Sequence, residues 1–505
     1  MWGKAFSNRV KKVYASKSML NVSSGLIYQI INSGLGLFLP YLFITNLGSE
    51  SNGLLNSIGQ LFACLSLLEA GVGTATLQAL YLPVSKNDKE GINRVLSATN
   101  HYYIRTGIIY AGSVVLLSFV YPSLVDSQLS DATIRLSILL QGAGTVIGYF
   151  IQAKYNFFLQ AEGKNYIHNF LLLSESILRN IGKIVAIHLG YGLIAVQSVH
   201  FLVLGFEALF MVAYVHRRYK WIDLSVTPDY AAISQKNSVL LQSIAWMVFN
   251  HTDILILTVF SRSLSLISVY SVYLLVFEAI QNVVNTVRNS FQYKIGQLYC
   301  KSTSSMQQFY KRYSLKISAI TGALFMVTYR LSTPFVKIYT AKATDANYIL
   351  AFIPEMFLIY KVLYNYRGMV NQVVEATGHF RETQNIAIAE ACINIFVSIL
   401  LVIKFGIYGV LLGTVASLIY STVCYTNYVG GKIMKGQAGF LFGQLILEVV
   451  PLFGAIIYNQ LNPIQVDSIL KLVNVAISLS VLTAIVFFAL WKVEDRFLLG
   501  GNKYD

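Results

Sequence analysis

Glu175, Arg179 and Lys183 follow one another at i, i+4 and i+8 inside an apolar stretch, so a helix carries them as one charged stripe. Placing an ionisable side chain in hydrocarbon costs about 2.5–3.5 kcal/mol on insertion scales, which makes each such residue a candidate for function. At a rise of about 1.5 Å per residue, Arg179 lies about 16 Å from the end of its stretch, near mid-membrane. Lys361 sits at a similar depth in a later stretch, with Arg367 nearer the end and Tyr360, Tyr364, Asn365, Tyr366 and Asn371 around both. Arg288 lies about 9 Å inside another stretch, near Asn282, Asn285 and Asn289. Arg179, Lys183, Arg288, Lys361 and Arg367 thus form a set of intramembrane cations able to hold an anion. Local pairing is the competing reading: Glu175 against Arg179, Lys183 snorkelling outward, Arg288 reaching the headgroups and Arg367 against Glu375.

Four acids, Glu69, Glu175, Glu278 and Glu390, also fall within apolar stretches and are candidates for proton coupling or for ion pairs that fix helices. Asp253 and His251 carry less weight. The cysteines, Cys64, Cys300, Cys392 and Cys424, are far apart and read as packing residues, and the histidines are equally scattered. No metal site or cofactor is expected. None of Gly3-Lys4, Gly163-Lys164, Gly182-Lys183 or Gly431-Lys432 is followed by Ser or Thr, so the chain lacks a nucleotide-binding phosphate loop.

The stretches that hold these residues make up nearly the whole chain. Its 505 residues are 55% hydrophobic and 12% charged, half the charged share of about 25% in soluble domains. Spans of about 20 residues cross the hydrocarbon core, which leaves room for about fourteen. The reading is an all-α integral membrane protein with about fourteen transmembrane helices, running from Leu20 to Trp491. Segments of about ten residues with alternating polarity, the mark of a membrane barrel, do not occur. Gly144 with Gly148 and Gly409 with Gly413 match the small-residue spacing of close helix contacts.

The net charge of +15 reflects topology and not nucleic acid. With a cytoplasmic N-terminus, the outer loops and their margins hold only Arg135, Arg262, Arg330, Lys337, Lys342, Lys404 and Lys471, while the other loop cations lie inside. This follows the positive-inside rule, with both termini in the cytoplasm. Near the start, Trp2, Phe6, Val10, Val13 and Tyr14 recur at helical spacing opposite Lys4, Arg9, Lys11 and Lys12, as in a helix lying on an anionic leaflet.

The chain also repeats itself. Gln160-Ala161-Glu162-Gly163-Lys164 is echoed by Glu375-Ala376-Thr377-Gly378-His379, and at the same offset Glu175 meets Glu390. Gly190-Tyr191-Gly192-Leu193 is answered by Gly406-Ile407-Tyr408-Gly409-Val410. The offset spans an even number of helices, so the halves share one orientation, as in parallel repeats related by an axis along the membrane normal. The expected organisation is a basic amphipathic segment (1–19), an N-terminal six-helix bundle (20–220), a cytoplasmic linker (221–238), a C-terminal six-helix bundle (239–432), and two further helices with a tail (433–505). Such repeats place a substrate path between bundles that alternate between inward and outward openings.

The run Leu47-Gly48 to Gly53-Leu54, then Leu68-Glu69-Ala70-Gly71-Val72-Gly73, together with the Ala-Glu-Gly and Gly-x-Gly-Leu elements above, resembles the polysaccharide transporters of the multidrug/oligosaccharidyl-lipid/polysaccharide (MOP) exporter superfamily, the Wzx-type flippases. The resemblance covers roughly Leu20 to Lys432. It implies movement of an undecaprenyl-pyrophosphate-linked oligosaccharide repeat unit across the cell inner membrane, for O-antigen, capsule or exopolysaccharide, with membrane lipids and a polysaccharide polymerase as partners. For such a substrate the five cations would take the pyrophosphate, and amide, hydroxyl and aromatic side chains the sugars. The first span has Asn21, Gln29 and Asn32 but no Arg, unlike the peptidoglycan-precursor flippases of the same superfamily, which become the alternative. A membrane polymerase or ligase is the second class, but such enzymes carry a large periplasmic loop. The longest polar segments here, Pro83 to His101, His216 to Lys236 and Lys294 to Arg312, are all assigned to the cytoplasm. Reporter fusions after Asp505 and near Pro228 are expected to be active only on the cytoplasmic side; a periplasmic signal at either point would overturn this topology.

Overall fold

The computed structural model describes residues 34–69, 72–233 and 251–499, together with Asn32 and Met247. The amphipathic segment at 1–19, the start of the first expected span and the first half of the seventh lie outside the described residues. The chain divides into two compact units, Met1–His251 and Thr252–Asp505. All regular elements among the described residues are helical, and eight helices are long and apolar enough to cross a bilayer. Large apolar side chains face outward along them, among them Leu116 and Phe119, Leu202 and Phe206, Phe396 and Ile403. Faces of that kind are stable against lipid and not against water, and the chain is a multi-pass membrane protein.

The first unit runs through α1 (Gly34–Leu47), α2 (Ser49–Leu65), a 3-10 turn (Ser66–Glu69), α3 (Val72–Ser85), α4 (Lys89–Leu124), α5 (Asp131–Ile151), α6 (Ala153–Ala161), α7 (Asn165–His188) and α8 (Leu193–Arg218). The second expected span is therefore broken after Leu65, just before the glycine-rich run Gly71-Val72-Gly73, where helix propensity is low. The fourth is broken at Gln152, between α5 and α6. Local signals set other ends. Asp88 accepts from Gly91 N at 3.0 Å to start α4, and Ser130 accepts from Thr133 N at 3.3 Å to start α5. With 36 residues, α4 is about 54 Å long and outruns the hydrocarbon core of about 30 Å. Its extension joins α6 and α8 around Leu96, Phe158 and Met211.

The segment after α8 packs back on this extension. Asn93 Nδ2 donates to Trp221 O at 3.2 Å, Ser97 Oγ donates to Val226 O at 2.9 Å, and Ile233 is buried against Ala75 and Ala98. The stretch expected as a polar linker is thus strapped, up to Ile233, to the first unit.

The second unit continues α9 (His251–Ser261) from Thr252 and then holds α10 (Leu264–Lys301), α11 (Thr303–Tyr339), α12 (Ile353–Thr377), α13 (Phe380–Phe405), α14 (Ile407–Tyr428), α15 (Ala438–Leu461) and α16 (Ile469–Leu499). Ser302 separates α10 from α11, its hydroxyl accepting from Ser305 N at 3.1 Å as the N-cap of α11. Pro354 opens α12, where a missing N–H costs nothing. Tyr310, Tyr313, Tyr366 and Met369 form a buried core between α11 and α12. The two echoed turns share a backbone state: Gly163 and Gly378 have φ of 71° and 77°, the left-handed region that glycine enters without a Cβ penalty. The cysteines do not behave as expected. Cys300 and Cys392 are exposed and the other two only partly covered, so none of the four is sealed in a core.

Of the two glycine pairs, one packs as its spacing predicts. A Cβ on Gly409 would lie 2.3 Å from the Leu401 carbonyl carbon, and one on Gly413 would lie 2.6 Å from Ser398 N, so α14 meets the backbone of α13 directly. Gly144 meets only the Leu204 side chain at 2.4 Å, and Gly148 has open space up to Gln152 at 3.9 Å. Gly409→Ala and Gly413→Ala are each expected to destabilise by about 1–3 kcal/mol through overpacking, with Gly148→Ala neutral. Thermal melting of the detergent-purified variants checks this, and equal melting of all three would contradict the crossing.

Candidate functional site

A cavity of about 310 Å3 lies inside the first unit, built by α1, α2, α5, α7 and α8. Arg179 and Lys183 of the predicted stripe line it. Arg179 Nη1 lies 2.6 Å from Glu175 Oε1, so the local pairing foreseen for these two is present. Lys183 instead lies 5.9 Å from the face of the Phe43 ring, and neither it nor the Arg179–Glu175 pair extends toward the lipid.

Amides supply most of the remaining polar wall. Gln197 Nε2 donates to Gln141 Oε1 at 2.9 Å, joining α8 to α5. Asn56 Nδ2 donates to Asn52 O at 2.8 Å within α2, and Asn180 Nδ2 donates to Ser176 Oγ at 3.2 Å within α7. His200, one turn from Gln197, presents a buried Nδ1 with no hydrogen-bond partner among the described residues. Asn52, Asn56, Gln141, Asn180, Gln197 and His200 were not singled out from sequence. Their signal was there: amides at helical spacing inside apolar runs, Asn52 with Asn56 and Gln197 with His200.

Glu69 is not part of this cavity. It ends the 3-10 turn, beside Tyr103 and Tyr149, whose rings are 5.8 Å apart, so its neighbours there are tyrosines and not the cation that a helix-fixing ion pair would need. A further carboxylate, Glu207 of α8, is 6% exposed, and its Oε1 has no hydrogen-bond partner among the described residues. Sequence reading passed it over because it stands alone in its stretch.

In the second unit each predicted cation is held by its own neighbours. Lys361 Nζ lies 2.5 Å from Glu278 Oε1, joining α12 to α10, and 4.4 Å from the Tyr360 ring. Arg367 Nε lies 3.4 Å from Glu390 Oε1, joining α12 to α13. The expected pairing of Arg367 with Glu375 is therefore replaced: Glu375 accepts from Gln292 at 3.2 Å and Asn371 at 2.8 Å. The physical reason is reach across the bundle, since Glu390 faces α12 from the neighbouring helix while Glu375 lies two turns along the same one. Arg288 Nη2 donates to Asn285 Oδ1 at 2.9 Å, within α10, and its Nη1 is buried without a partner. Arg288 thus stays in the protein and does not reach for headgroups. Gln281 and Asn365 exchange two hydrogen bonds of 2.9 Å between α10 and α12.

Asp253 has more structure around it than the sequence reading gave it. It is 8% exposed and accepts from Tyr270 Oη at 2.8 Å and Thr414 Oγ1 at 3.0 Å. Asn394 Nδ2 donates to the same threonine at 3.0 Å, and Thr252 Oγ1 donates to Asn394 Oδ1 at 3.1 Å. One polar chain thereby links α9, α10, α13 and α14.

No family profile and no curated protein matches the chain. Among solved structures the chain is similar to the lipid II flippase MurJ in an inward closed conformation, at 15% identity and a TM-score of 0.66, over 94% of this chain and 99% of that one. It is also similar to an inward-facing multidrug resistance transporter of the MATE family of the MOP superfamily, at 16% identity and a TM-score of 0.61, over 84% and 99%. A third neighbour is the MATE multidrug transporter DinF-BH, at 12% identity and a TM-score of 0.56, over 84% and 96%. The protein has the fold of the MOP-superfamily transporters.

The Lys361–Glu278 pair is lopsided, with side chains 1% and 40% exposed. Removing the acid strands a cation that the protein encloses on all sides, whereas removing the lysine leaves an acid that the protein only partly encloses. Glu278→Gln is expected to destabilise by about 3 kcal/mol, Lys361→Met by less, and the double variant is expected to recover most of the loss. Melting curves of the three proteins decide this, and a double variant no better than Glu278→Gln would show that the pair is not what holds Lys361.

Proposed function

We propose that this protein is a flippase that moves undecaprenyl-pyrophosphate-linked oligosaccharide repeat units across the cytoplasmic membrane by alternating access, for O-antigen, capsule or exopolysaccharide. The observation that carries this reading is the cavity of the first unit, where two cations and several amides line one pocket between apolar helices. An apolar cargo would need none of them, and charges so placed are costly unless used. The cargo offers sugar hydroxyls to the amides and negative charge to the cations. Arg179 and Lys183 in the first unit and Arg288, Lys361 and Arg367 in the second are the side chains proposed to compensate that charge. Glu69, Glu175, Glu278 and Glu390 are proposed to fix these cations or to carry the coupling proton. The fold, that of exporters, supports transport over a polymerase or ligase reaction. Both termini are proposed to be cytoplasmic, and a polysaccharide polymerase would receive the product.

The similarity to the lipid II flippase over nearly the full length of both chains favours a second reading, a peptidoglycan-precursor flippase. Both cargoes present a lipid-linked pyrophosphate and differ in the sugar part. Liposomes holding the purified protein and either a lipid-linked oligosaccharide repeat unit or lipid II separate the two. Movement of the repeat unit between leaflets without change of mass is expected. Movement of lipid II alone would favour the second reading, and sugar transfer or chain extension would overturn both.

A further inference from the structure

The cavity of the first unit has a charge count that a pyrophosphate does not match. Arg179 is neutralised by Glu175 at 2.6 Å. Lys183 has no ion-pair partner among the described residues and rests against the Phe43 ring, so the cavity offers one uncompensated positive charge. A diphosphate brings at least two negative charges and accepts hydrogen bonds only.

The amides argue in the same direction. Once Gln197 has donated to Gln141, Asn56 to Asn52 and Asn180 to Ser176, the groups left over are of both kinds. Gln141 keeps its amide donors, while Gln197, Asn56 and Asn180 keep carbonyl acceptors. Carbonyl oxygens repel phosphoryl oxygens but accept from hydroxyls, and a sugar ring both donates and accepts. Leu39, Phe43 and Leu55 complete the wall with apolar surface, which suits the C–H face of such a ring. At about 310 Å3 the space is at the small end of ligand pockets, about 300–1,000 Å3, enough for a sugar unit and not for a whole oligosaccharide.

We propose that this cavity is a subsite for an acidic sugar, a hexuronate-like unit whose single carboxylate is taken by Lys183 and whose hydroxyls are taken by Gln141, Gln197, Asn56 and Asn180. The assignment rests on the transport reading above and makes the cargo an oligosaccharide containing a carboxylated sugar. Specificity at this subsite comes from Lys183, because the amides treat acidic and neutral sugars alike.

The test uses the full-length protein in detergent, with glucuronate, glucose and inorganic pyrophosphate as probes and ligand-induced thermal stabilisation as the readout. Glucuronate is expected to bind about tenfold more tightly than glucose, the worth of one charged hydrogen bond, and pyrophosphate more weakly than glucuronate. Lys183→Met is expected to erase the preference for glucuronate over glucose, and Lys183→Arg to keep it. Gln141→Leu, which does not touch a charge, is expected to weaken both sugars equally and covers the case in which Lys183→Met does not fold. Tighter binding of pyrophosphate, equal binding of the two sugars, or a glucuronate preference that survives Lys183→Met would overturn the assignment. Liposome assays separate this failure from that of the transport reading: a protein that moves neutral and uronate-containing lipid-linked oligosaccharides equally well loses the subsite only, and one that moves neither loses the flippase reading itself.

Discussion

Inside hydrocarbon there is no water to satisfy a charge or an amide, and every polar side chain in this chain's spans must find its partner within the protein. That constraint organises both units. Lys361 meets Glu278, Arg367 meets Glu390 and Arg179 meets Glu175, so three of the four acids that looked like free titrating groups from their position become counter-charges, Glu69 being the exception. Two of these pairs tie α12 to different helices, α10 on one side and α13 on the other. The same logic fixes the neutral groups, with Gln281 and Asn365 closing a reciprocal pair and Asp253 ending a chain of hydroxyl and amide donors.

What is left after this pairing is more informative than the pairing itself. The second unit consumes its predicted cations in local contacts, although Arg288 keeps one buried nitrogen without a partner. Among the described residues, the first unit leaves Lys183 without an ion-pair partner at the wall of a cavity, together with several half-satisfied amides. Outer faces that carry large apolar side chains, such as Leu202 and Phe206, have no structural need for such a wall. The groups that are not used to hold helices together are the ones available to a cargo.

The helix interruptions serve the same end. The turn Ser66–Glu69 and the joint at Gln152 break two spans that would otherwise run straight. They leave the amides of α2 on one side of Glu69 and α6 free to pack against the long extension of α4. Close backbone contact is used where rigidity is needed, at Gly409 and Gly413 between α13 and α14.

The class of fold, the helical nature of the spans and the echoed turns were legible in the sequence, as was the placing of the cations and acids inside apolar stretches. These follow from hydropathy and spacing, which act along the chain. It also foresaw the Glu175–Arg179 pair, because those residues are one turn apart. The packed helices were needed to show which acid answers Lys361 and Arg367, that Arg288 bonds within the protein, and that Gln141, Gln197, Asn56 and Asn180 line one cavity with Lys183. Those partners lie on different helices, and helical periodicity states which residues share a face without stating what that face meets. The breaks at Glu69 and Gln152 escaped for a related reason: mean hydropathy stays high across them, and a helix interior tolerates or rejects a break according to the packing around it.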